Sequence, residues 1–197
     1  QWVLENAERL RVRAVVVGAT WPEDFGFAAA VDSLRGRGIV TVAPAGNDPH
    51  ASMGYPARSP GVFTVGATDA LGRVAAYSTP GPGDAVGVLD LLAPGGSATA
   101  VEGGLRVADN EPRDAYVLRS GTSLAAAHVA GAISIVSEAM GTASRPWRAD
   151  ADQVGWIEDV LRITAVPVVG HEDDAIEVPG PGAVRPNRIT GYGLLQV

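Results

Sequence analysis

The chain has 197 residues, of which 46% are hydrophobic and 19% are charged, so it is long and apolar enough to bury a substantial core. Its formal net charge of -7 argues against nucleic acid and anionic membranes as partners. No apolar run in the sequence suggests a membrane-spanning segment, and the 25 glycines and 14 prolines are dispersed rather than gathered into a linker, which favours one domain.

Four short aliphatic runs predict buried parallel strands, at residues 14–17, 39–43, 62–66 and 89–92. Between the first two runs, residues 21–34 predict a helix that opens with proline and acidic residues and ends at a glycine. A strand, a helix and a second strand in this order form the right-handed crossover unit. The pattern therefore predicts an α/β fold with a mainly parallel sheet flanked by helices.

The second half of the chain carries two further helical patterns. Apolar residues recur at helical spacing in residues 123–136 and again in residues 153–161. Residues 95–114 and 170–188 lack such spacing and are expected to be exposed loops. The second of these loops carries an acidic patch and Pro-Gly repeats, and we assign it no function.

A glycine-hinged turn delivers Ser123 to the start of the first of these helices. Gly121 permits a sharp backbone turn, and a hydroxyl at the helix start meets unpaired backbone N–H groups and the positive end of the helix dipole. Taken alone, Ser123 is best interpreted as an N-cap before a core helix. The string Gly-Thr-Ser-Leu-Ala-Ala-Ala-His-Val-Ala-Gly over residues 121–131 changes that balance. It resembles the serine-nucleophile signature of the subtilisin-like serine proteases (subtilases, peptidase family S8).

Further segments of the chain resemble segments of the family's catalytic domain, and they occur in the same order. Residues 40–48 resemble the strand and loop that present the oxyanion-hole asparagine, here Asn47. Later matches lie at residues 55–67, 89–95 and 191–195. The resemblance implies that residues 1–197 are the C-terminal portion of one subtilisin-like catalytic domain, with a three-layer α/β fold that lacks its N-terminal part.

The same resemblance implies a serine endopeptidase that forms an acyl-enzyme on Ser123. A serine hydroxyl is a weak nucleophile and needs a neighbouring base, itself oriented by a third group. The tetrahedral intermediate needs hydrogen-bond donors for its oxyanion, here the Asn47 side-chain amide and the Ser123 backbone N–H. Asn47 alone would pass for an ordinary turn residue, but its spacing from the Ser123 motif favours the catalytic interpretation.

The catalytic Asp and His of the family have no counterpart in this sequence. His128 lies on the same helix as Ser123 but points elsewhere, and the resemblance makes it a packed structural residue. His50 falls in a turn-forming stretch, and His171 falls among acidic residues that favour its charged form. We therefore expect an N-terminal fragment of the same protease to supply both residues, and the chain alone not to fold stably, because its sheet would have an open edge.

Substrate contacts are also implied by the resemblance. Gly18, Ala19 and Thr20 match the end of the edge strand that pairs with an extended protein or peptide substrate, and Ala45 and Gly46 match the lining of the primary specificity pocket. Small residues there suggest a roomy apolar slot whose far wall the sequence does not reveal. The alternative is a buried parallel strand that touches no substrate.

Several expectations remain open at this point. Ala127 stands where the family has proline, and a shifted nucleophile there would suit a peptide ligase or macrocyclase. The other alternative is a catalytically silent binding or regulatory module with the same fold. No cofactor is required, although backbone carbonyls in residues 57–62 match a region that binds calcium as a structural ion in some relatives. The absence of cysteine is compatible with both a secreted and an intracellular location. The acidic charge and the usual location of the family's members favour a secreted or extracytoplasmic location over an intracellular one.

Overall fold

The computed structural model describes residues 1–82, 88–97, 103–109, 115–141, 147–166, 168 and 187–196. Within these residues the chain forms four α-helices and six β-strands. In chain order the elements are α1 (Trp2–Leu10), β1 (Ala14–Val16), α2 (Phe27–Arg35), β2 (Val40–Pro44), β3 (Val62–Thr68), β4 (Leu91–Pro94), β5 (Leu105–Ala108), β6 (Tyr116–Arg119), α3 (Thr122–Met140) and α4 (Ala151–Ile163).

The first four strands form one parallel sheet in the order β1-β2-β3-β4. Val15 pairs with Thr41, Val42 with Phe63, and Val65 with Leu91. All four predicted strands are present, with boundaries that differ by one or two residues from the expected ones. The prediction of an α/β fold with a mainly parallel sheet is confirmed, and β1 is an edge strand within the described part of the sheet.

Helices cover both faces of this sheet, which explains why its central strands are continuous apolar runs. On one face, Val129 and Ile133 of α3 belong to the same fully buried cluster as Phe63 of β3 and Ile157 of α4. On the other face, Val31 of α2 packs in a second cluster with residues that include Ala43, Met53 and Leu92. Every residue of β2 and β3 is buried as a result.

Helix α3 is the central covering helix of the first cluster. It contacts all four strands of the parallel sheet as well as α4. With 19 residues and a mean hydropathy of 1.4, it is long and apolar enough to cross a membrane by length and composition alone. The expectation that no apolar run reaches that length was therefore wrong, and the contacts with the sheet account for the apolar composition instead.

Two predicted segments differ in the structure. Residues 21–25 are not helical, because Trp21 pairs with Tyr55 through two 2.8 Å backbone hydrogen bonds. The Asp24 carboxylate accepts hydrogen bonds from the backbone N–H groups of Gly26 and Phe27, so helix α2 begins only at Phe27. Residues 95–114, expected to be a loop, contain β5, which pairs with β6 as an antiparallel hairpin.

A buried network of ion pairs ties α4 to the rest of the domain. Arg162 of α4 lies 2.7 Å from the carboxylate of Asp90, which also accepts a 2.7 Å hydrogen bond from the Thr64 backbone N–H. One turn earlier, Glu158 accepts two hydrogen bonds from Arg35 of α2. Complete burial raises the pKa of Asp90 to about 6, although the Arg162 guanidinium opposes that shift.

Candidate active site

Ser123 is the second residue of α3 and follows the hairpin strand β6 after a short turn. Gly121 holds this turn in a positive-φ conformation (φ 156) that favours glycine. Its N–H donates to the Gly95 carbonyl over 2.9 Å, which anchors the turn to the segment that follows β4. The Ser123 N–H lies in the first helical turn, where the helix itself offers no acceptor.

Asn47 lies beside this turn although it is far away in the sequence. It follows the end of β2, and its side-chain Oδ1 accepts hydrogen bonds from both the backbone N–H and the hydroxyl of Thr122, each 2.9 Å long. These two bonds occupy the amide oxygen, so the Nδ2 group remains available as a donor. The structure therefore brings Asn47 and the Ser123 turn together, as the sequence predicts.

The loop that carries Asn47 is held by two threonines that the sequence analysis did not single out. The Thr79 hydroxyl donates to the Asp48 carbonyl (2.8 Å) and accepts from the Asp48 N–H (3.2 Å). Gly46 packs closely against Thr79, because a Cβ added to Gly46 would lie 2.6 Å from the Thr79 hydroxyl. The Thr122 hydroxyl also accepts a 3.3 Å hydrogen bond from the Gly46 N–H. Single-sequence patterns carry no signal for Thr79, whereas Thr122 stands inside the Gly-Thr-Ser string.

The end of β1 reaches the nucleophile directly. The Ser123 hydroxyl donates a 3.0 Å hydrogen bond to the Gly18 carbonyl. Gly18, Ala19 and Thr20 are exposed and lie just beyond the last residue of β1. The predicted substrate-pairing segment is thus adjacent to Ser123.

The predicted pocket residues behave differently from one another. Ala45 has no exposed surface and packs in the second core cluster, so the prediction that it lines an open pocket is wrong in this structure. Its N–H bonds to Val65 within the sheet, which turns the side chain into the core. Gly46 remains half-buried at the surface. Gly54 packs against the Thr20–Trp21 segment, since an added Cβ would lie 2.6 Å from the Trp21 carbonyl oxygen.

None of the described histidines lies in hydrogen-bond contact with Ser123. His50 is exposed in the turn after Asn47, as expected. His128 is also exposed, with Nδ1 2.9 Å from the Leu124 carbonyl of its own helix, so the expectation of a packed residue is wrong for this chain. His171 lies outside the described residues.

Tyr77 supports the turn between β6 and α3, which contains Gly121 and is called the nucleophile turn from here on. Its hydroxyl lies 2.9 Å from the Gly95 carbonyl and 2.8 Å from the Gly96 carbonyl, and Gly95 in turn accepts the hydrogen bond from Gly121. Partial burial raises the pKa of the Tyr77 hydroxyl. The tyrosine is therefore a neutral donor at physiological pH, and no sequence pattern pointed to this role.

Two carbonyls of the predicted calcium region accept hydrogen bonds within the domain, and calcium binding there stays a prediction. The Ala57 carbonyl accepts a 2.9 Å hydrogen bond from the Thr64 hydroxyl, and the Ser59 carbonyl accepts from the Val62 N–H. Asp90, which shares Thr64 as a partner, is already paired with Arg162. Among the described residues, no group of three or more histidine, cysteine or acidic side chains is arranged so that it could hold a metal ion.

Comparison with known proteins shows the family and the fold of the chain. Residues 6–193 match the model of the subtilase family. Subtilisin BL of Lederbergia lenta is 38% identical over 109 residues, which are 55% of this chain and 35% of the relative. The alkaline protease of Shouchella clausii is 38% identical over the same length, which is 25% of that protein, so the chain matches about a third or less of the length of these curated relatives.

Solved structures resemble the fold over almost the whole chain. The prenylagaramide maturation protease PagA superposes with a TM-score of 0.70 at 22% identity and covers 98% of this chain and 62% of its own. The PatG macrocyclase in complex with peptide gives the same TM-score and identity, with 52% of that protein covered. Because the family match spans most of the residues and includes the Asn47 and Ser123 segments, this chain belongs to the subtilase family.

Proposed function

We propose that this chain is the nucleophile-bearing part of a serine endopeptidase, in which Ser123 forms an acyl-enzyme and Asn47 stabilises the oxyanion. The observation that carries the proposal is the pair of hydrogen bonds from Thr122 to Asn47 Oδ1. These bonds join the asparagine to the residue next to Ser123 and leave its Nδ2 group as a donor. A carbonyl attacked by Ser123 would lie between this amide and the Ser123 N–H.

The reaction needs a base to accept the Ser123 proton. In the resting site that proton is directed at the Gly18 carbonyl, which is not a base. A neutral imidazole in place of this acceptor would take the proton as Ser123 attacks the peptide carbonyl. The imidazolium would then protonate the leaving amine, and an activated water would release the acyl group.

The imidazole and its orienting carboxylate belong, in this proposal, to a segment outside these 197 residues. Two surfaces support that arrangement. Strand β1 pairs only with β2 among the described strands, which leaves its outer backbone edge available. The side of α3 next to Ser123 also presents small exposed residues, Ala127, Gly131 and Ser134, which would let another element approach closely.

The substrate in this proposal is an extended protein or peptide. Backbone groups of Gly18 to Thr20 are exposed beside Ser123 and would pair with the main chain of the substrate. Gly46, Thr20 and Gly54 would border the side-chain pocket, with Ala45 lying behind it in the core. A secreted or extracytoplasmic location accords with the acidic charge of the chain.

A fluorophosphonate probe tests the assignment, because it labels a serine only when an assembled base activates it. We expect the full-length protein to be labelled at Ser123, the Ser123→Ala variant to be unlabelled, and Ser33→Ala, a control at an exposed serine of α2, to be labelled normally. Absence of labelling in the full-length protein would favour a catalytically silent module. Labelling of the 197-residue chain alone would contradict an outside base.

Product analysis separates hydrolysis from ligation. With a peptide substrate and an added amine nucleophile, we expect free carboxylic acid as the main product. A predominance of the amide product would instead identify a peptide ligase or macrocyclase, the alternative raised by Ala127.

A further inference from the structure

A cavity of about 220 Å³ lies behind the loop that carries Asn47. One wall is the segment that follows Asn47, and the facing wall is the segment that follows Thr79. Arg58 and Arg188 also line this partly open cavity. The lining residues are Ala51, Ser52, Met53, Arg58, Pro80, Gly81, Pro82 and Arg188.

The two arginines of this cavity have no counter-charge among the described residues. The Arg58 Nε atom is buried and has no hydrogen-bond partner. Within the described part of the chain, no Asp or Glu lines the cavity, and neither guanidinium forms an ion pair. A buried donor without a partner is costly, which applies to the Nε atom of the half-buried Arg58, whereas Arg188 is exposed.

Four other arginines of the described chain form ion pairs. Arg35 pairs with Glu158, and Arg162 pairs with Asp90. Arg73 and Arg148 likewise contact nearby aspartates. Arg58 and Arg188 instead share a cavity in which no described residue is a carboxylate, in a chain whose net charge is -7.

The size and chemistry of the cavity define the ligand class. A volume of about 220 Å³ is smaller than the range of roughly 300–1,000 Å³ that drug-sized ligands occupy. Guanidinium groups bind oxyanions through two parallel N–H donors, and the Ser52 hydroxyl offers a further donor. We propose that this cavity binds a small oxyanion, such as phosphate, sulfate or a compact carboxylate, between Arg58 and Arg188.

Such an anion would connect three segments that lack regular secondary structure. These are residues 51–53, residues 80–82 and Arg188, whose carbonyl already accepts a 2.5 Å hydrogen bond from the Gly81 N–H. The cavity contains neither Ser123 nor Asn47, so the proposal does not depend on the proposed protease activity. Binding of the anion in this cavity is expected to stabilise the folded protein by mass action.

Thermal unfolding of the full-length protein tests the site, with inorganic phosphate, sulfate and malonate added at constant ionic strength against sodium chloride. We expect phosphate to raise the melting temperature above the chloride control in a saturable manner. Arg58→Gln and Arg188→Gln should each weaken the apparent affinity at least tenfold, because each removes a charge-assisted contact. Arg37→Gln, which changes the net charge equally at an exposed arginine outside the cavity, should bind like the wild type.

Three results would overturn the proposal. These are no saturable shift with any of the three anions, an equal shift with chloride, or an unchanged affinity in both cavity variants. A response to malonate alone would identify a carboxylate as the ligand, whereas a response to phosphate and sulfate would identify a tetrahedral oxyanion. Because each variant is compared with itself with and without anion, a change in its basal stability does not obscure the outcome.

Discussion

The Thr122 hydroxyl and backbone N–H both donate to Asn47 Oδ1, each over 2.9 Å. Two donors on one oxygen determine which way the Asn47 amide is turned, and they leave its Nδ2 group available as a donor close to Gly121, where an added Cβ would lie 3.4 Å from it. The same hydroxyl accepts a hydrogen bond from the Gly46 N–H. A single threonine thus links the nucleophile turn to the loop that carries the proposed oxyanion donor.

Replacement of Asn47 by Leu should remove the side-chain donor to the oxyanion. We expect kcat of the full-length protein to fall by about 10²–10³ with little change in KM, because the lost hydrogen bond strengthens only in the transition state. Steady-state kinetics on a chromogenic peptide would measure this effect. Asn6→Leu on α1 serves as the control and should retain wild-type kcat. A change confined to KM would argue against an oxyanion role for Asn47.

Replacement of Thr122 by Val removes the hydroxyl but keeps the side-chain shape. One of the two hydrogen bonds to Asn47 is then lost, and the Gly46 N–H loses its acceptor. We expect kcat to fall by about tenfold, in keeping with one net hydrogen bond of roughly 0.5–1.5 kcal/mol that positions a catalytic group. Thr122→Ser should restore most of the rate. Failure of the serine variant to do so would show that the methyl group, and not the hydroxyl, matters.

Tyr77→Phe tests the support beneath the nucleophile turn. The variant removes the hydroxyl that contacts the Gly95 and Gly96 carbonyls. We expect a loss of about 1 kcal/mol in the free energy of unfolding, measured by urea denaturation. Tyr116→Phe, at a residue that is 64% exposed, is the matched control and should leave the stability unchanged. Equal effects of the two variants would contradict a supporting role for Tyr77.

The sequence predicted the sheet well because its strands are continuous apolar runs that only a doubly covered parallel sheet explains. It failed at residues 21–25, where helix propensity was overridden by pairing of Trp21 with Tyr55, a contact between distant segments. It also missed β5, because the register of this short hairpin depends on pairing with β6 and not on its own alternation. Long-range pairing leaves little trace in local patterns.

Some residues of the candidate site could likewise be recognised from the sequence, and others could not. Asn47 and Ser123 were recognisable because each stands in a long distinctive string. Thr79 and Tyr77 were not, since each acts through one hydroxyl on a backbone group, and backbone partners leave no mark in a sequence. Ala45 was misassigned because the resemblance locates a segment near the site, whereas the direction of its side chain depends on the pairing of Ala45 with Val65.

The pH dependence of stability should depend on the buried pair of Asp90 and Arg162. Burial raises the pKa of Asp90 to about 6 in the folded state, above the value of about 3.9 expected in the unfolded chain. The folded state therefore binds this proton more tightly. The resulting stabilisation is fully present below about pH 4 and is lost as the pH rises through about 6, by roughly 3 kcal/mol in total.

Urea unfolding of the wild type and of Asp90→Asn between pH 4 and pH 8 would measure this contribution. We expect the stability of the wild type relative to the variant to decrease with rising pH across that interval, whatever the variant's absolute stability. Asp159→Asn, which also lies near Arg162 but has a side chain that is 73% exposed, should show no such trend relative to the wild type. A wild type that gains stability over Asp90→Asn as the pH rises would mean that attraction to Arg162 outweighs the burial of Asp90.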